Sequence, residues 1–175
     1  MGRYNESLAD LNKSLEIEPD VAGRYHESLR DLTKSLEFER DDASTLRCRG
    51  RIYLKLGRIY ESLRDLTKSL EIEPNDASTL KSRAEAYLLN DWYDESINDL
   101  TRSLKISPDN ADALCLRGEA YRKIGRYEES LVDLNKSLKI NPYNVTALRN
   151  RGETLLISGF EEESFSDFKM SVEII

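Results

Sequence analysis

The fold is decided by residues 111–144, which read ADALCLRGEAYRKIGRYEESLVDLNKSLKINPYN. The 34 residues before them carry a related sequence, and so do residues 43–76 and the segment that begins at Val145. Three of the four prolines recur at intervals of 34 residues: Pro74, Pro108 and Pro142. A fixed period of this length is typical of a repeat protein.

We number the 34 positions of each repeat as slots, beginning at Ala43, so that later repeats begin at Ala77, Ala111 and Val145. Slot 4 is leucine, slot 7 is arginine and slot 20 is serine in all four repeats. Every glycine falls at slot 8 or slot 15 of its unit, and every proline falls at slot 32. A glycine inside a helix costs about 1 kcal/mol relative to alanine, so a glycine that recurs there must be compensated by packing. The small residue at slot 8, glycine or alanine, therefore predicts a close approach of two helix backbones.

Each repeat is predicted to form two helices. A short polar residue precedes the first helix, where its side chain can cap free backbone amides: Asp42, Asp76, Asn110 and Asn144. Slot 15 follows that helix and suits a left-handed residue that ends it: Gly57, Asp91, Gly125 and Gly159. Proline stops the second helix, whose apolar residues are spaced by four, three and four, as in Tyr127, Leu131, Leu134 and Leu138.

The chain resembles the tetratricopeptide repeat family, whose 34-residue helix–turn–helix unit it matches at slots 8, 11, 24 and 32 and, in the small size of the residue, at slots 20 and 27. It departs from the family pattern where leucine replaces tryptophan at slot 4, arginine replaces leucine at slot 7 and serine replaces alanine at slots 20 and 27. The resemblance implies an all-α fold, a right-handed superhelical solenoid of antiparallel helix pairs. Its complete repeats would be 43–76, 77–110 and 111–144, followed by a C-terminal repeat over 145–175 that lacks a capping helix.

Residues 1–42 repeat only the second half of the unit, and they do so twice, 21 residues apart. We expect residues 24–39 to occupy the place of a second helix ahead of the first full repeat. Residues 3–18 would then fold back as a substitute for the missing first helix, unless they are detached or domain-swapped. At the other end, either the chain is cut from a longer protein or its last residues meet a partner.

The resemblance also implies a concave groove lined by the first helices, chiefly at slots 2, 5, 9, 12 and 13. The residues predicted to contact a partner there are Arg47, Arg51, Leu54, Lys55, Lys81, Glu85, Leu88, Glu119, Arg122 and Arg149. These five slots hold seven basic and four acidic residues on a chain whose net charge is −7. One interpretation is an acidic peptide bound near Arg47, Arg51, Lys55 and Lys81, with apolar contact from Leu54 and Leu88; the other is a solvated helix face.

An arginine at slot 7 and an aspartate at slot 23 recur in every full repeat. They could form a charged ladder for ligands, or a structural ion pair between the two helices of a repeat. We favour the structural interpretation, because a feature that is identical in all repeats belongs to the framework more often than to a site.

The predicted function is that of a protein-interaction adaptor that binds a protein or an extended peptide. The alternative is a structural or self-associating segment of a larger protein, with homo-oligomers formed through exposed terminal repeats. Single-stranded RNA binding, as in the related 35-residue helical repeats, would require a basic groove throughout and a 35-residue period, and this chain has neither.

Composition argues against other classes. We expect no catalytic residue, cofactor or metal site, since His26 is a lone histidine and the two cysteines, Cys48 and Cys115, lie far apart. The negative net charge disfavours nucleic acid, and no apolar run is long enough for a membrane span. Two cysteines and no secretion signal favour a cytoplasmic location.

Overall fold

The structure, a computed structural model, describes residues 19–174. Over that range it contains helices and no strand, so the predicted all-α class is confirmed. The nine helices of this range are α1 (Pro19–Phe38), α2 (Ala43–Lys55), α3 (Ile59–Ile72), α4 (Ala77–Leu89), α5 (Tyr93–Ile106), α6 (Ala111–Lys123), α7 (Tyr127–Ile140), α8 (Val145–Ile157) and α9 (Glu161–Glu173). The first helices of the four predicted repeats are α2, α4, α6 and α8, and the second helices are α3, α5, α7 and α9.

The chain divides into two compact units, and the boundary between them falls inside α4, between Ala86 and Tyr87. In the first unit, α2 packs against both α1 and α3. In the second unit, α6 packs against α5 and α7, and α8 packs against α6, α7 and α9. In the second unit the pair α6 and α7 therefore contacts the next pair, α8 and α9, as predicted for a stack of repeats.

The first helices begin at the predicted capping residues. In each case the side-chain oxygen accepts a hydrogen bond from a backbone N–H three residues further on: Asp42 from Thr45 at 3.1 Å, Asp76 from Thr79 at 2.6 Å, Asn110 from Ala113 at 3.0 Å and Asn144 from Ala147 at 3.1 Å. These bonds satisfy amides that have no partner inside the helix. The predicted caps are confirmed.

The turns between the helices of a pair adopt the predicted left-handed conformation. Slot 15 has a positive φ in all four repeats: 68° at Gly57, 59° at Asp91, 80° at Gly125 and 85° at Gly159. Aspartate can take this conformation because its short polar side chain tolerates the left-handed region better than a branched one does. The first helix of each pair ends here and the second begins two residues later.

The small residue at slot 8 marks a close contact between paired helices. A Cβ atom on Gly118 would lie 2.7 Å from Leu134 Cγ, and one on Gly50 would lie 2.8 Å from Leu66 Cγ. Both leucines are fully buried. The recurring glycine therefore allows the core leucine of the second helix to pack directly on the backbone of the first, as predicted.

The slot 7 arginines join three helices at once, an arrangement that we call the arginine clasp. Arg117 donates from Nε and Nη2 to the Asp133 carboxylate at 2.6 and 2.9 Å. Its Nη1 donates to Thr101 Oγ1, on the second helix of the preceding pair, at 3.1 Å. The same clasp joins Arg49 to Asp65 and Thr33, and Arg151 to Asp167 and Asn135. These contacts support the structural interpretation of the repeated arginine and aspartate.

The N-terminal part of the described range differs from the expectation in one respect. The helix expected over residues 24–39 begins earlier, at Pro19, and Gly23 lies inside it. Proline is well suited to the first turn of a helix, because its ring fixes φ and its missing N–H would have no partner there. The slot 32 proline therefore starts a helix here, whereas in the full repeats it follows one. The predictions for residues 3–18 lie outside the described residues.

Candidate functional site

The predicted partner-binding residues of the first unit lie on two helices. Arg47, Arg51 and Lys55 follow one another at intervals of four along α2, which places them on one helix face. Lys81 and Glu85 have the same spacing on α4. We call these five residues the first-unit face. It carries four cations and one carboxylate.

Ion pairs within the protein compensate part of this charge. Arg47 Nη1 lies 3.0 Å from an Asp76 carboxylate oxygen, and the Arg47 side chain is only 24% exposed. Lys55 Nζ lies 3.9 Å from Glu85 Oε1, a looser pair that is open to solvent. The cationic surplus predicted from the sequence is therefore smaller around Arg47 than the count of charges suggested.

Arg51 is different from its neighbours on α2. It is exposed, and no carboxylate of residues 23–174 lies within ion-pairing distance of it. Lys81 is half-buried on the neighbouring first helix. The exposed and uncompensated charge of the first-unit face therefore centres on Arg51.

The two leucines predicted to contact a ligand are not presented to solvent. Leu54 is 6% exposed and Leu88 is 9% exposed. Both occupy slot 12, and Arg122 in the same slot contacts Glu153 on the first helix of the next pair. Slot 12 of the third repeat thus faces the next first helix. Leu54 and Leu88 offer a ligand little exposed surface, and their apolar contact with a ligand stays a prediction.

In the second unit, the predicted residues form a polar network between α6 and α8. Arg122 is 13% exposed, and its Nη2 lies 3.0 Å from Glu153 Oε2 and 3.4 Å from Asn150 Oδ1. Asn150 in turn donates from Nδ2 to Glu119 Oε2 at 3.2 Å. Arg149 is exposed. The network compensates most of the charge that the sequence placed on this part of the face.

Asn150 was not among the residues predicted from the sequence. It is 6% exposed and contacts both Glu119 and Arg122, which were predicted. It sits at slot 6, where the other repeats carry Cys48, Ser82 and Leu116. The sequence signal that could have identified it is that asparagine occurs at this slot in only one repeat.

Cys115 lies beside this network but has no nucleophilic character. It is 3% exposed, and burial raises the pKa of its thiol to about 12. Its sulfur accepts only a long contact of 3.9 Å from Asn150 Nδ2. A thiol in this state is a packing group, because nucleophilic attack requires the thiolate.

The described part of the chain offers neither a metal site nor a membrane span. Among the side chains of residues 23–174, no three histidine, cysteine or acidic groups come together in a way that could hold a metal ion. Of the described helices, none combines the length and the apolar character needed to cross a bilayer.

Three family models match the sequence. They describe a tetratricopeptide repeat over residues 111–144, a TPR repeat over residues 92–125 and a tetratricopeptide repeat over residues 49–76. The prolines and glycines predicted a 34-residue period, and two of these models independently match segments of that length. No curated protein matches the chain.

Solved structures show the same architecture. The structure titled MamA 41-end from Desulfovibrio magneticus RS-1 has a TM-score of 0.79 at 19% identity, and the match covers 99% of this chain and 96% of that one. A crystal structure of MamA has a TM-score of 0.77 at 20% identity, covering 90% and 95%. YrrB, described as a TPR protein with an unusual peptide-binding site, has a TM-score of 0.70 at 20% identity, covering 82% and 74%.

Identities this low establish the fold alone. The repeat models add the family, since they match the segments in which helix pairs, caps and left-handed turns recur. The chain therefore belongs to the tetratricopeptide repeat family.

Proposed function

We propose that the chain is a protein-interaction module that binds an extended acidic peptide along the first-unit face. Repeat stacks of this kind expose a continuous row of first helices and use it as a binding surface. The observation that carries the proposal is Arg51, an exposed arginine without an ion-pair partner among the described residues, flanked by Arg47 and Lys55 on the same helix face.

The spacing of these cations suits an extended ligand. Residues four apart on a helix are separated by about 6 Å along its axis. Alternate side chains of an extended peptide are separated by about 6.6 Å and point the same way. A peptide with an acidic residue at every second position can therefore place successive carboxylates beside Arg47, Arg51 and Lys55.

The two arginines should be tested separately. Arg47 also holds Asp76, the residue that caps α4, so reversing its charge would disturb the fold as well as a ligand. Arg51 has no such duty. The Arg51→Glu variant therefore reports on binding without removing a structural contact.

The experiment measures binding of three capped octapeptides, Glu-Ser, Gln-Ser and Lys-Ser repeated four times, by fluorescence anisotropy. We expect the chain to bind the glutamate peptide, and Arg51→Glu to weaken that binding at least tenfold, which corresponds to about 1.4 kcal/mol. The matched control is Arg30→Glu, a charge reversal at an exposed arginine of α1. Equal affinity for all three peptides, or an equal loss in both variants, would rule the proposal out.

Salt gives a second readout. Exposed charges separated by more than the Debye length of about 8 Å at physiological ionic strength are largely screened. Binding of the glutamate peptide should therefore weaken as salt rises from 50 to 500 mM, whereas a contact made by apolar groups would not.

A second candidate function is self-association through the last helix pair, and the exposure of its apolar residues favours it. Slot 28 is 7% exposed at Leu138 but 72% exposed at Val172, and Phe165 is also 72% exposed. Sedimentation velocity over a hundredfold concentration range tests this function, with Val172→Asp as the variant that should abolish association. A monomer at every concentration would exclude it.

The remaining expectations rest on the sequence alone and stay predictions. They are that the chain has no enzymatic activity, needs no cofactor, binds neither nucleic acid nor a membrane, and works in the cytoplasm.

A further inference from the structure

A crevice of about 310 Å³ opens beside the second helices of the first unit. Its walls come mainly from α1 and α3, so it is distinct from the first-unit face on α2 and α4. Two buried leucines, Leu36 and Leu46, contribute apolar surface. Four cations line it: Arg40, Arg49, Arg64 and Lys68.

Two of these cations have no counterpart in the later repeats. Arg40 occupies slot 32, which is proline elsewhere: Pro74, Pro108 and Pro142. Arg64 occupies slot 22, which is uncharged in the later repeats: Asn98, Val132 and Ser166. In the preceding half repeat, slot 22 is also arginine, Arg30. The arginine clasp recurs in the later repeats and belongs to the framework, whereas the pair formed by Arg40 and Arg64 does not recur there.

The charge of the crevice is only partly compensated. Arg49 is held by Asp65 in the clasp, and Lys68 Nζ lies 2.7 Å from an oxygen of Asp41. Arg40 and Arg64 are exposed, and no carboxylate within residues 23–174 lies within ion-pairing distance of either. The lining holds four cations and two carboxylates, and Asp41 pairs with Lys68 from outside it, so the crevice keeps a net positive charge that Arg40 and Arg64 supply.

We propose that this crevice binds a phosphate monoester carried on a peptide side chain. A phosphate monoester carries a charge of about −1.5 to −2 at pH 7, enough to engage both arginines that lack an ion-pair partner within residues 23–174. Arginine is suited to phosphate because its planar guanidinium offers two parallel N–H donors. The leucines of the crevice give the peptide chain beside the phosphate an apolar contact.

The proposal does not depend on the acidic-peptide function, since the two surfaces share no residue. Arg51→Glu should leave phosphate binding unchanged, and substitutions in the crevice should leave the octapeptides bound as before. The failure of one proposal is therefore distinguishable from the failure of the other.

Isothermal titration calorimetry on the full chain tests the ligand. The probes are a capped Ala-Ala-phosphoserine-Leu-Ala peptide, its serine and glutamate counterparts, and orthophosphate. We expect the phosphopeptide to bind at least tenfold more tightly than the serine and glutamate peptides. If orthophosphate binds as tightly as the phosphopeptide, phosphate itself is the ligand and the peptide adds nothing, which overturns the peptide-borne part of the proposal.

Substitutions then locate the site. Arg40→Gln and Arg64→Gln should each weaken phosphopeptide binding about tenfold, whereas Arg30→Gln on the same unit should not. Because both arginines are exposed, neither variant should change the circular dichroism spectrum. No binding by the native chain at millimolar phosphopeptide, or binding that both variants retain, would overturn the proposal.

The repeats also allow the site to be copied. In the second unit, the double substitution Pro108→Arg with Val132→Arg places the same two cations beside Leu104, Leu114 and Arg117, the counterparts of Leu36, Leu46 and Arg49. That variant should bind two equivalents of phosphopeptide where the native chain binds one. A stoichiometry that stays at one in a folded variant would contradict the role assigned to these two arginines.

Discussion

Gly118 lies where α6 and α7 approach closely, since a Cβ atom there would be 2.7 Å from Leu134 Cγ and 3.2 Å from Ser130 O. We predict that Gly118→Val lowers the free energy of unfolding by about 1–3 kcal/mol, the usual cost of overpacking a core. Gly23 is the matched control, because it lies in α1 with nothing within 4 Å of its Cβ position. Gly23→Ala should stabilise by up to about 1 kcal/mol. Urea denaturation measures both; effects of the same sign would contradict the packing argument.

The two cysteines should differ in reactivity. Cys48 is exposed, whereas Cys115 is buried with a thiol pKa raised to about 12 by that burial. Because thiol reagents attack the thiolate, we predict that a maleimide at pH 8 labels one thiol per folded chain rapidly and the second only after unfolding. Mass spectrometry of the labelled chain resolves the two sites, and equal rates at both would contradict the structure.

Single residues also show where sequence reasoning succeeds. The caps at Asp42 and Asn144 and the left-handed Asp91 follow from local backbone chemistry, which a sequence displays directly. The contact of Asn150 with Arg122 joins two helices of neighbouring pairs. It depends on how those helices face each other, and no local pattern encodes that.

At the scale of helices, the arginine clasp should stabilise the fold mainly because it prevents a buried carboxylate from being left unpaired. Asp133 is 4% exposed, so Arg117→Ala would leave its carboxylate buried without a partner. Such a loss costs about 3–5 kcal/mol, whereas replacing both partners with apolar residues is often neutral. We predict that Arg117→Met with Asp133→Leu recovers most of the stability that Arg117→Ala loses. A double-mutant cycle by chemical denaturation measures this; a double variant no more stable than the single one would contradict it.

The Asp42 cap of α2 should make a pH-dependent contribution to the free energy of unfolding. The hydrogen bond from the Thr45 side chain lowers the pKa of Asp42 below the ordinary 3.8. A lowered pKa means that the stabilisation is present above pH 3.8 and is lost as the pH falls through the lowered value. We predict that Asp42→Ala costs about 1 kcal/mol at pH 7 and progressively less below pH 3.8.

The control for this cap is Asp42→Asn, which keeps an acceptor but cannot titrate. Its stability relative to the native chain should improve as the pH falls. Thermal unfolding followed by circular dichroism measures the series. A penalty for Asp42→Ala that stays constant from pH 7 to pH 2.5 would show that the carboxylate is not the source of the effect.

One helix-scale prediction was wrong in its boundary. The helix expected over residues 24–39 begins at Pro19, although Pro74 in the first full repeat follows a helix. Proline is compatible with both places, because it suits the first turn of a helix as well as the residues after its end. The local sequence therefore allows two structures at slot 32.

For the molecule as a whole, stability in a repeat protein is approximately a sum of terms within repeats and between neighbours. We predict that Gly118→Val lowers amide protection in α6 and α7 more than in α2 and α3, which lie in the other unit. Hydrogen exchange with mass spectrometry resolves these helices. An equal loss of protection in all four would show that the two units unfold as one.

Charge at this scale cannot be read from residue counts. The first helices carry more cations than anions at the groove slots, but Asp76 and Glu153 neutralise Arg47 and Arg122. Exposed cations without a carboxylate partner within residues 23–174 include Arg51 on a first helix, and Arg40 and Arg64 beside the second helices. The sequence had singled out Arg51 but not Arg40 or Arg64, which the structure brings to one crevice.

The arginine clasp bears on how such a chain can change its length. Arg117 reaches back to Thr101, and Arg83 reaches back in the same way to Thr67 at 3.2 Å. If residues 77–110 were excised, Arg117 would inherit Thr67 in place of Thr101, and its bond to Asp133 would be untouched. Modules of 34 residues, singly or several together, can thus be duplicated or lost during evolution while each arginine keeps a polar partner sixteen residues before it. An excision that is not a multiple of 34 residues would separate an arginine from that partner.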